Sequence, residues 1–413
     1  MQRARMLLPF FRGNGWVVEV LAVAPEYVTA PLDPWLLDGL PTDVKVHRVE
    51  ALGLGWSRIP GLGTLGLRAL WSLVKVGDKL LAKSAFDLVY FSTTVFEVHL
   101  LGPRWKHKFG IPFVMDYQDP WVNDYYSEHP EVVPPGGRLK YGLVDKLHRW
   151  MEPRVLRECA GVISVSPDYP GQLSHRYPWL EKLPYLVQPF PGSRRDFERL
   201  AGSTVNQTHF NPLDGQIHWV YIGVVIPGML PVLRALFSAI TTSMPREKLK
   251  RLRMHFIGTS YAPVGRAVPR VLPLATEFGL ADQVQEQCER IPYVQALKCL
   301  SDADALLAIG SDDPGYTASK IFPYLLARKP LLAIYHEHSS VNEFICQVGG
   351  AVCIPFAAHL NKDALTQAIS NEWVAGESFT ILRPLNHSAF ESYTDHGSAA
   401  ELCRFLNERL NHA

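Results

Sequence analysis

The 413-residue chain predicts an α/β protein of two doubly wound parallel-sheet domains. Three observations lead there. Short, nearly unbroken apolar runs such as WVVEVLAVA (Trp16–Ala24), IPFVM (Ile111–Met115) and DALLAI (Asp304–Ile309) read as parallel strands covered on both faces. Segments with helical apolar spacing separate them. The alternation halts in a Pro-, Gly-, Ser- and Arg-rich stretch, Pro189–Thr208, and restarts at Ile217. With 47% hydrophobic and 20% charged residues, both halves can bury a core of their own. The expected layout is a first domain over 1–188, a linker over 189–215, a second domain over 216–375, and an extension over 376–413 whose closing helix packs back on the first domain.

In the first half, Gln2–Arg12 reads as a helix stopped by Gly13, Asn14 and Gly15. The strand Trp16–Ala24 follows, then Val44–Val49, and a Gly-rich loop over Leu52–Gly66 leads to a helix over Leu67–Lys83. Within that loop GLGTLG (Gly61 to Gly66) matches GxGxxG formally. It follows no strand directly and Pro60 interrupts its approach, so it is not a dinucleotide fingerprint. Asp87–Phe91 is the next strand, and a helix runs from Thr93 to about Phe109. The strand Ile111–Met115 runs straight into Asp116, Tyr117, Gln118 and Asp119. Polar residues just past the carboxyl end of a parallel strand are where open α/β sheets put their chemistry, which makes Asp119 the leading catalytic candidate and Asp116 a companion. The plain reading of Asp119 is a turn cap before Pro120. Leu139–Glu158 carries a helical apolar stripe, and GVISVS (Gly161–Ser166) is a strand ending in Ser164 and Ser166. Ser166 is either a turn former or an acceptor-side contact. Tyr185–Val187 is the last strand of this half.

In the second half, Ile217–Ile222 is a strand closed by Gly223, Met254–Ile257 one closed by Gly258 and Thr259, and Val284–Gln287 a third. A glycine at a strand-to-helix turn lets a phosphate approach the backbone. A helix begins within Arg290–Leu297, and the strand Asp304–Ile309 leads to GYTASKIFPYLLARKPLLAI (Gly315–Ile334). There Thr317, Ala318 and Ser319 are expected to cap a helix reaching Ala327, with Ser319 and Lys320 at its start as an anion seat. Pro330 then opens the strand Leu331–Tyr335, followed by a helix over Val341–Val348, a strand over Ala351–Ile354, and helices over Lys362–Asn371 and Ala399–Leu410.

Composition excludes several classes. The 41 basic and 40 acidic residues give no broad nucleic-acid footprint. Six scattered cysteines without CxxC or zinc spacing read as reduced thiols in a cytoplasmic protein. His336 and His338 flank Glu337, but residues two apart on a strand point to opposite faces, so no metal site is assigned. No run reaches the roughly 18–20 apolar residues of a membrane span. Arg12 breaks the apolar patch near the start, and no cleavage site follows, so no signal peptide is read there.

With the elements placed, the chain resembles the GT-B glycosyltransferases, particularly those related to family 4. The resemblance rests on the order and spacing of QRARMLLPFFRGNGWVVEVLA, IPFVMDYQDPW, AGVISVS, WVYIG, MHFIGTS, ERIPYVQALKCLSDADALLAI and SKIFPYLLARKPLLAI. It implies two Rossmann-like domains facing across a cleft, an acceptor held mainly by the first and a nucleotide-sugar donor held mainly by the second. It further implies a donor diphosphate near Gly223, Gly258, Ser319 and Lys320, a base near Arg290 and Tyr293, and a ribose near the helix containing Tyr324. Arg3 falls at the cleft. Helix-end N–H groups and cations would stabilise the departing nucleoside diphosphate, so no metal and no cofactor is required. The implied acceptor is a glycan or lipid-linked molecule, with the way left open to peripheral contact at the inner membrane face.

The chain also departs from these relatives. The two positions of their Glu-x7-Glu pattern fall on Gly315 and Pro323, Arg328 stands where they commonly carry Gly, and the loop Val224–Pro231 lacks the Arg or Lys used against the diphosphate. Only Arg234 lies nearby. Relatives also carry a strand and a Gly-rich loop before the segment matched by Gln2 and Arg3, so the expectation is either a late start or a first domain lacking one edge of its cleft. These departures motivate two other readings, a non-catalytic GT-B-like binding protein and a sugar-nucleotide epimerase.

Overall fold

The computed structural model describes residues 2–29, 32–58, 63–124, 126, 134, 137–262, 265–313, 319–357 and 361–410. Gly61 and the stretch from Pro314 to Ala318, including Gly315 and Thr317, lie outside the described residues. The chain forms two compact units, Met1–Phe190 with His396–Ala413, and Pro191–Asp395.

The first unit opens with helix α1 (Gln2–Phe11), and Gly15 at φ +85° turns the chain out of it. Strand β1 (Glu19–Val23) pairs in parallel with β2 (Lys45–Val49). Helix α2 (Leu65–Lys83) follows, with the Thr64 hydroxyl accepting from the Leu67 N–H at its start. A second parallel sheet then runs β3 (Val89–Ser92), α3 (Leu101–Phe109), β4 (Phe113–Tyr117), α4 (Arg138–Leu156), β5 (Gly161–Ser164), α5 (Asp168–Arg176) and β6 (Tyr185–Val187), in the order β3-β4-β5-β6. The helix expected from Thr93 is in fact a 3-10 turn over Phe96–Leu100 that leads into α3. Central β4 is buried throughout, as its unbroken apolar run requires. The long strand expected over Trp16–Ala24 shortens to β1, all five residues of which are only half-buried. Among the described residues β1 bonds only β2, and β3 bonds only β4, so each has one unpaired edge.

The second unit begins earlier than the expected linker allows. Ser193 caps helix α6 (Arg194–Ala201) by accepting from the Asp196 N–H, so much of that Arg- and Ser-rich stretch is ordered helix. Strands β7 (Ile217–Ile222), β8 (Leu252–Ile257), β9 (Val284–Gln287), β10 (Ala305–Ile309), β11 (Leu331–His336) and β12 (Val352–Phe356) form one parallel sheet in the order β12-β11-β10-β7-β8-β9. Intervening helices are α7 (Leu230–Ser243), α8 (Val271–Glu277), α9 (Tyr293–Asp302), α10 (Ile321–Leu326), α11 (Ser340–Val348) and α12 (Lys362–Ile369). This is the doubly wound order, with its reversal between β7 and β10, where such sheets bind ligands beyond the strands' carboxyl ends. Separate apolar clusters cover the two faces, one around Trp219, Phe237 and Trp373, the other around Tyr324, Tyr335 and Phe344. The last helix, α13 (Asp395–Leu410), belongs to the first unit from His396 onward. Its Leu402, Cys403 and Leu406 pack with Leu7 and Phe11 of α1 over Val114 and Ile163. Among the described residues no helix is long and apolar enough to cross a membrane.

Candidate functional site

At the reversal point of the second unit, β7 and β10 pair over Ala305–Trp219 and Leu306–Val220. Beyond that pairing the Tyr324 hydroxyl takes over, accepting from the Ile222 N–H at 2.7 Å and donating to the Ile222 carbonyl at 3.1 Å. Tyr324 is thus a wedge at the strand ends, 1% exposed, and not the ribose-facing group the resemblance implied. Gly223 follows β7 at φ +137° and Gly258 follows β8 at φ +74°, backbone conformations that side chains oppose. The Lys320 ammonium sits over the first of these turns. Its Nζ donates to the Tyr221 hydroxyl at 2.7 Å, lies 4.2 Å from that ring's centroid, and would be 3.4 Å from a Cβ placed on Gly223. Although part of its area meets solvent, protein surrounds the ammonium, and that desolvation lowers its pKa to about 7.

The short helix expected up to Ala327 is α10, and Lys320 stands at its start without a side-chain cap. Lys320 immediately precedes the six residues of α10, while Ser319 is an exposed turn residue before it. Beside Gly258, the exposed Arg290 guanidinium lies 4.6 Å from the centroid of the exposed Tyr261 ring, and the half-buried Tyr293 opens α9. Thr259 is spent inside the fold. Its hydroxyl donates to Glu286 at 2.7 Å, and the same carboxylate accepts the N–H groups of Arg270, Val271 and Leu272 at the start of α8. Arg270 in turn donates to the Val225 carbonyl at 2.8 Å, fixing the loop after β7. Arg234, the other nearby cation, is paired with Glu277 at 2.6 Å.

In the first unit, Asp119 lies two residues past β4 and is exposed. Among the described residues its carboxylate has no hydrogen bond or ion pair, so the turn-capping reading is not what holds it. Surrounding protein raises its pKa by desolvation. The turn is instead anchored by Trp121, which stacks on Phe96 at 5.7 Å and contacts the rings of His99 and His148. Next to it lies a hollow of about 210 Å³ lined by Pro120, Trp121, Tyr126, Tyr141, Asp145 and His148, among others.

Arg3 and Asp116 are buried within the first unit. Asp116 is 1% exposed and accepts from Tyr90, Ser92 and Gln118 at 3.1, 3.1 and 2.7 Å, while Arg3 Nε approaches it at 2.9 Å as an ion pair without hydrogen-bond alignment. Arg3 also donates to the Gln188 side chain and carbonyl at 3.0 and 2.6 Å, and Gln188 donates to the Ser398 carbonyl in α13. The network ties both chain ends to the β3–β6 sheet. Ser166 accepts from the Asp168 N–H at 3.2 Å in the turn that leads into α5 and is 8% exposed.

A family profile for glycosyl transferase 4-like domains matches residues 2–180. Among solved structures, Anabaena Alr3699/HepE in complex with UDP is similar at TM-score 0.57 and 12% identity, over 98% of this chain and 96% of that one. A glycosyltransferase from Rickettsia africae ESF-5 is similar at TM-score 0.55 and 12% identity, over 100% and 95%. The chain has the GT-B fold, and its first part matches a glycosyl transferase 4-like domain. The Candida albicans trehalose-6-phosphate phosphatase N-terminal domain has a similar fold, at TM-score 0.55 and 12% identity over 100% and 92%. No curated protein sequence matches the chain.

Of the site residues expected from the sequence, the second unit brings Gly223 and Lys320 together and sets Arg290 beside Gly258 on the neighbouring strand end. Sequence reasoning missed Tyr221, Tyr261, Glu286 and Trp121. Tyr221 lies inside the quoted WVYIG segment, but its partner Lys320 is 99 residues away. Trp121 follows Asp119 directly enough to have been read as its anchor.

Proposed function

We propose that the second unit holds a nucleoside-diphosphate sugar through Lys320, Gly223 and Gly258, with Arg290, Tyr261 and Tyr293 toward the base. The observation that carries this reading is the desolvated Lys320 ammonium above a glycine turn at the sheet's reversal point. A buried cation is costly until an anion reaches it. An Anabaena protein of similar fold has been solved with UDP and with UDP and glucose, which makes UDP the first nucleotide to test.

During transfer the bond from the anomeric carbon to the diphosphate oxygen breaks and a bond to an acceptor hydroxyl oxygen forms, releasing the nucleoside diphosphate and a proton. Negative charge grows on the diphosphate, where Lys320 stabilises it. The sugar carries the opposite, oxocarbenium-like charge, by analogy with glycoside hydrolysis. Asp119 accepts a hydrogen bond from the acceptor hydroxyl, and the aromatic hollow beside it receives the rest of a glycan or lipid-linked acceptor. The enzyme works in the cytoplasm, in peripheral contact with the inner membrane face.

Lys320 supplies the charge a divalent cation would otherwise bring, so EDTA is expected to leave turnover unchanged. Loss of turnover restored by Mg2+ would overturn that. The donor reading is tested by thermal shift and nucleotide release with UDP-, GDP- and ADP-sugars. Failure of all three to shift the melting temperature or be hydrolysed overturns it. Binding without any release on adding acceptor would favour the non-catalytic reading, and interconversion of donor sugars the epimerase.

A further inference from the structure

Helix α4 packs one face into the first unit through Met151, Val155 and Leu156. Its other face is unlike an ordinary solvated surface. Leu143, Leu147 and Trp150 are 71%, 39% and 53% exposed, at helical spacing along one line that Arg154 continues. Lys146 and Arg157 are exposed beside them. The Arg154 guanidinium lies 4.1 Å from the Trp150 ring centroid, and that of Arg157 lies 5.1 Å from the ring of Trp179, itself 42% exposed.

One exposed leucine is unremarkable on any protein. A line of two leucines and a tryptophan ending in two arginine-on-tryptophan stacks is not explained that way. The charge pattern narrows what can cover it. Lys146, Arg154 and Arg157 belong to the strip. The nearby carboxylates of Asp145 and Glu158 are engaged, the first with Arg149 at 2.7 Å and the second with Lys106 at 3.2 Å. Glu181, exposed next to Trp179's helix turn, is offset by the adjacent exposed Lys182. The strip is therefore apolar and cationic along its length.

We propose that this face of α4, with Trp179, docks on an anionic bilayer surface. Leucines and indole rings enter the headgroup boundary, while the lysine and arginine stems run along them and leave their charges at the phosphates. A second copy of the same face fits poorly, because an isologous contact sets this row of cations against itself. The proposal gives a surface to the peripheral membrane contact of the proposed function and rests on that part of the reading, not on the donor chemistry.

The test is co-sedimentation of the whole chain with vesicles of phosphatidylcholine alone and with about one-third phosphatidylglycerol. The expected result is at least a tenfold preference for the anionic vesicles, weakened in high salt. Lys146→Glu with Arg154→Glu, and separately Leu143→Ser with Trp150→Ser, should each abolish most of the binding. Melting temperature and UDP binding measured on the same variants should stay at wild-type values, which separates this result from failure to fold and from failure of the donor reading. Equal binding to neutral and anionic vesicles, or undiminished binding by both variants, overturns the proposal. So does a dimer in sedimentation velocity that both variants dissolve.

Discussion

Raising the pH from 7 to 8.5 should weaken UDP binding, and Lys320 should be the reason. Burial lowers its pKa to about 7 in the free protein, so nearly all the molecules have lost the ammonium by pH 8.5. If the diphosphate binds the charged form, Kd rises toward tenfold per pH unit above that value, or roughly 15-fold from pH 7 to 8.5. Free-protein stability should move the other way. A lysine whose folded pKa lies below its unfolded value of 10.5 binds more protons when unfolded, so stability rises as pH climbs from about 7 toward 10.5. Isothermal titration with UDP at fixed ionic strength reads the first slope, and thermal melts without ligand read the second. Lys320→Met should remove the binding slope and weaken UDP at pH 7 by about 10–100-fold, the range for a lost charge-assisted hydrogen bond. Affinity that is flat across this range in the wild type, or an unchanged slope in Lys320→Met, refutes the assignment.

Asp119→Asn should lower kcat by about 100-fold or more while UDP affinity stays unchanged, as steady-state kinetics alongside titration would show. Because desolvation raises the Asp119 pKa, activity should fall as pH drops through that raised value, at higher pH than for an ordinary aspartate. Arg3→Ala should destabilise the protein by about 3–5 kcal/mol in denaturant melts, since it leaves Asp116 buried without its cation. His255, stacked on Phe210 and 2.9 Å from His218, is held neutral by burial with a pKa lowered to about 4. The unfolded chain takes up that proton near pH 6.5 and the folded one does not, so the melting temperature should fall as pH drops from about 6.5 to 4, and His255→Asn should flatten the fall.

Most strands were legible because a parallel strand covered on both faces must be apolar along its length, as in β4, β7 and β10. Their order was not, because parallel neighbours such as β7 and β10 are joined by pairings over many residues that leave no local mark. The same limit explains β1, where an apolar run looked doubly covered while among the described residues the strand is half-buried and bonds only β2. Arg328 shows a local signal that was readable. At φ +54° it occupies the left-handed position after α10 that glycine usually fills, which is the position where glycine was expected by resemblance.

The site candidates divide along a physical line that sequence does not display. Asp116, Thr259, Ser166, Tyr324 and Arg3 all stand at or near strand ends and carry ligand-binding chemistry, yet each spends its hydrogen bonds on the fold. A polar group satisfied in this way would have to break native bonds to hold a ligand, at about the cost of leaving a buried partner unsatisfied. Asp119 and Lys320 differ because their environments disfavour the charged form, one carboxyl raised and one ammonium lowered. For such groups an arriving partner of opposite charge or a hydrogen-bond donor returns what desolvation removed. That asymmetry, and not position at a strand end, is what makes these two residues the ones to mutate first.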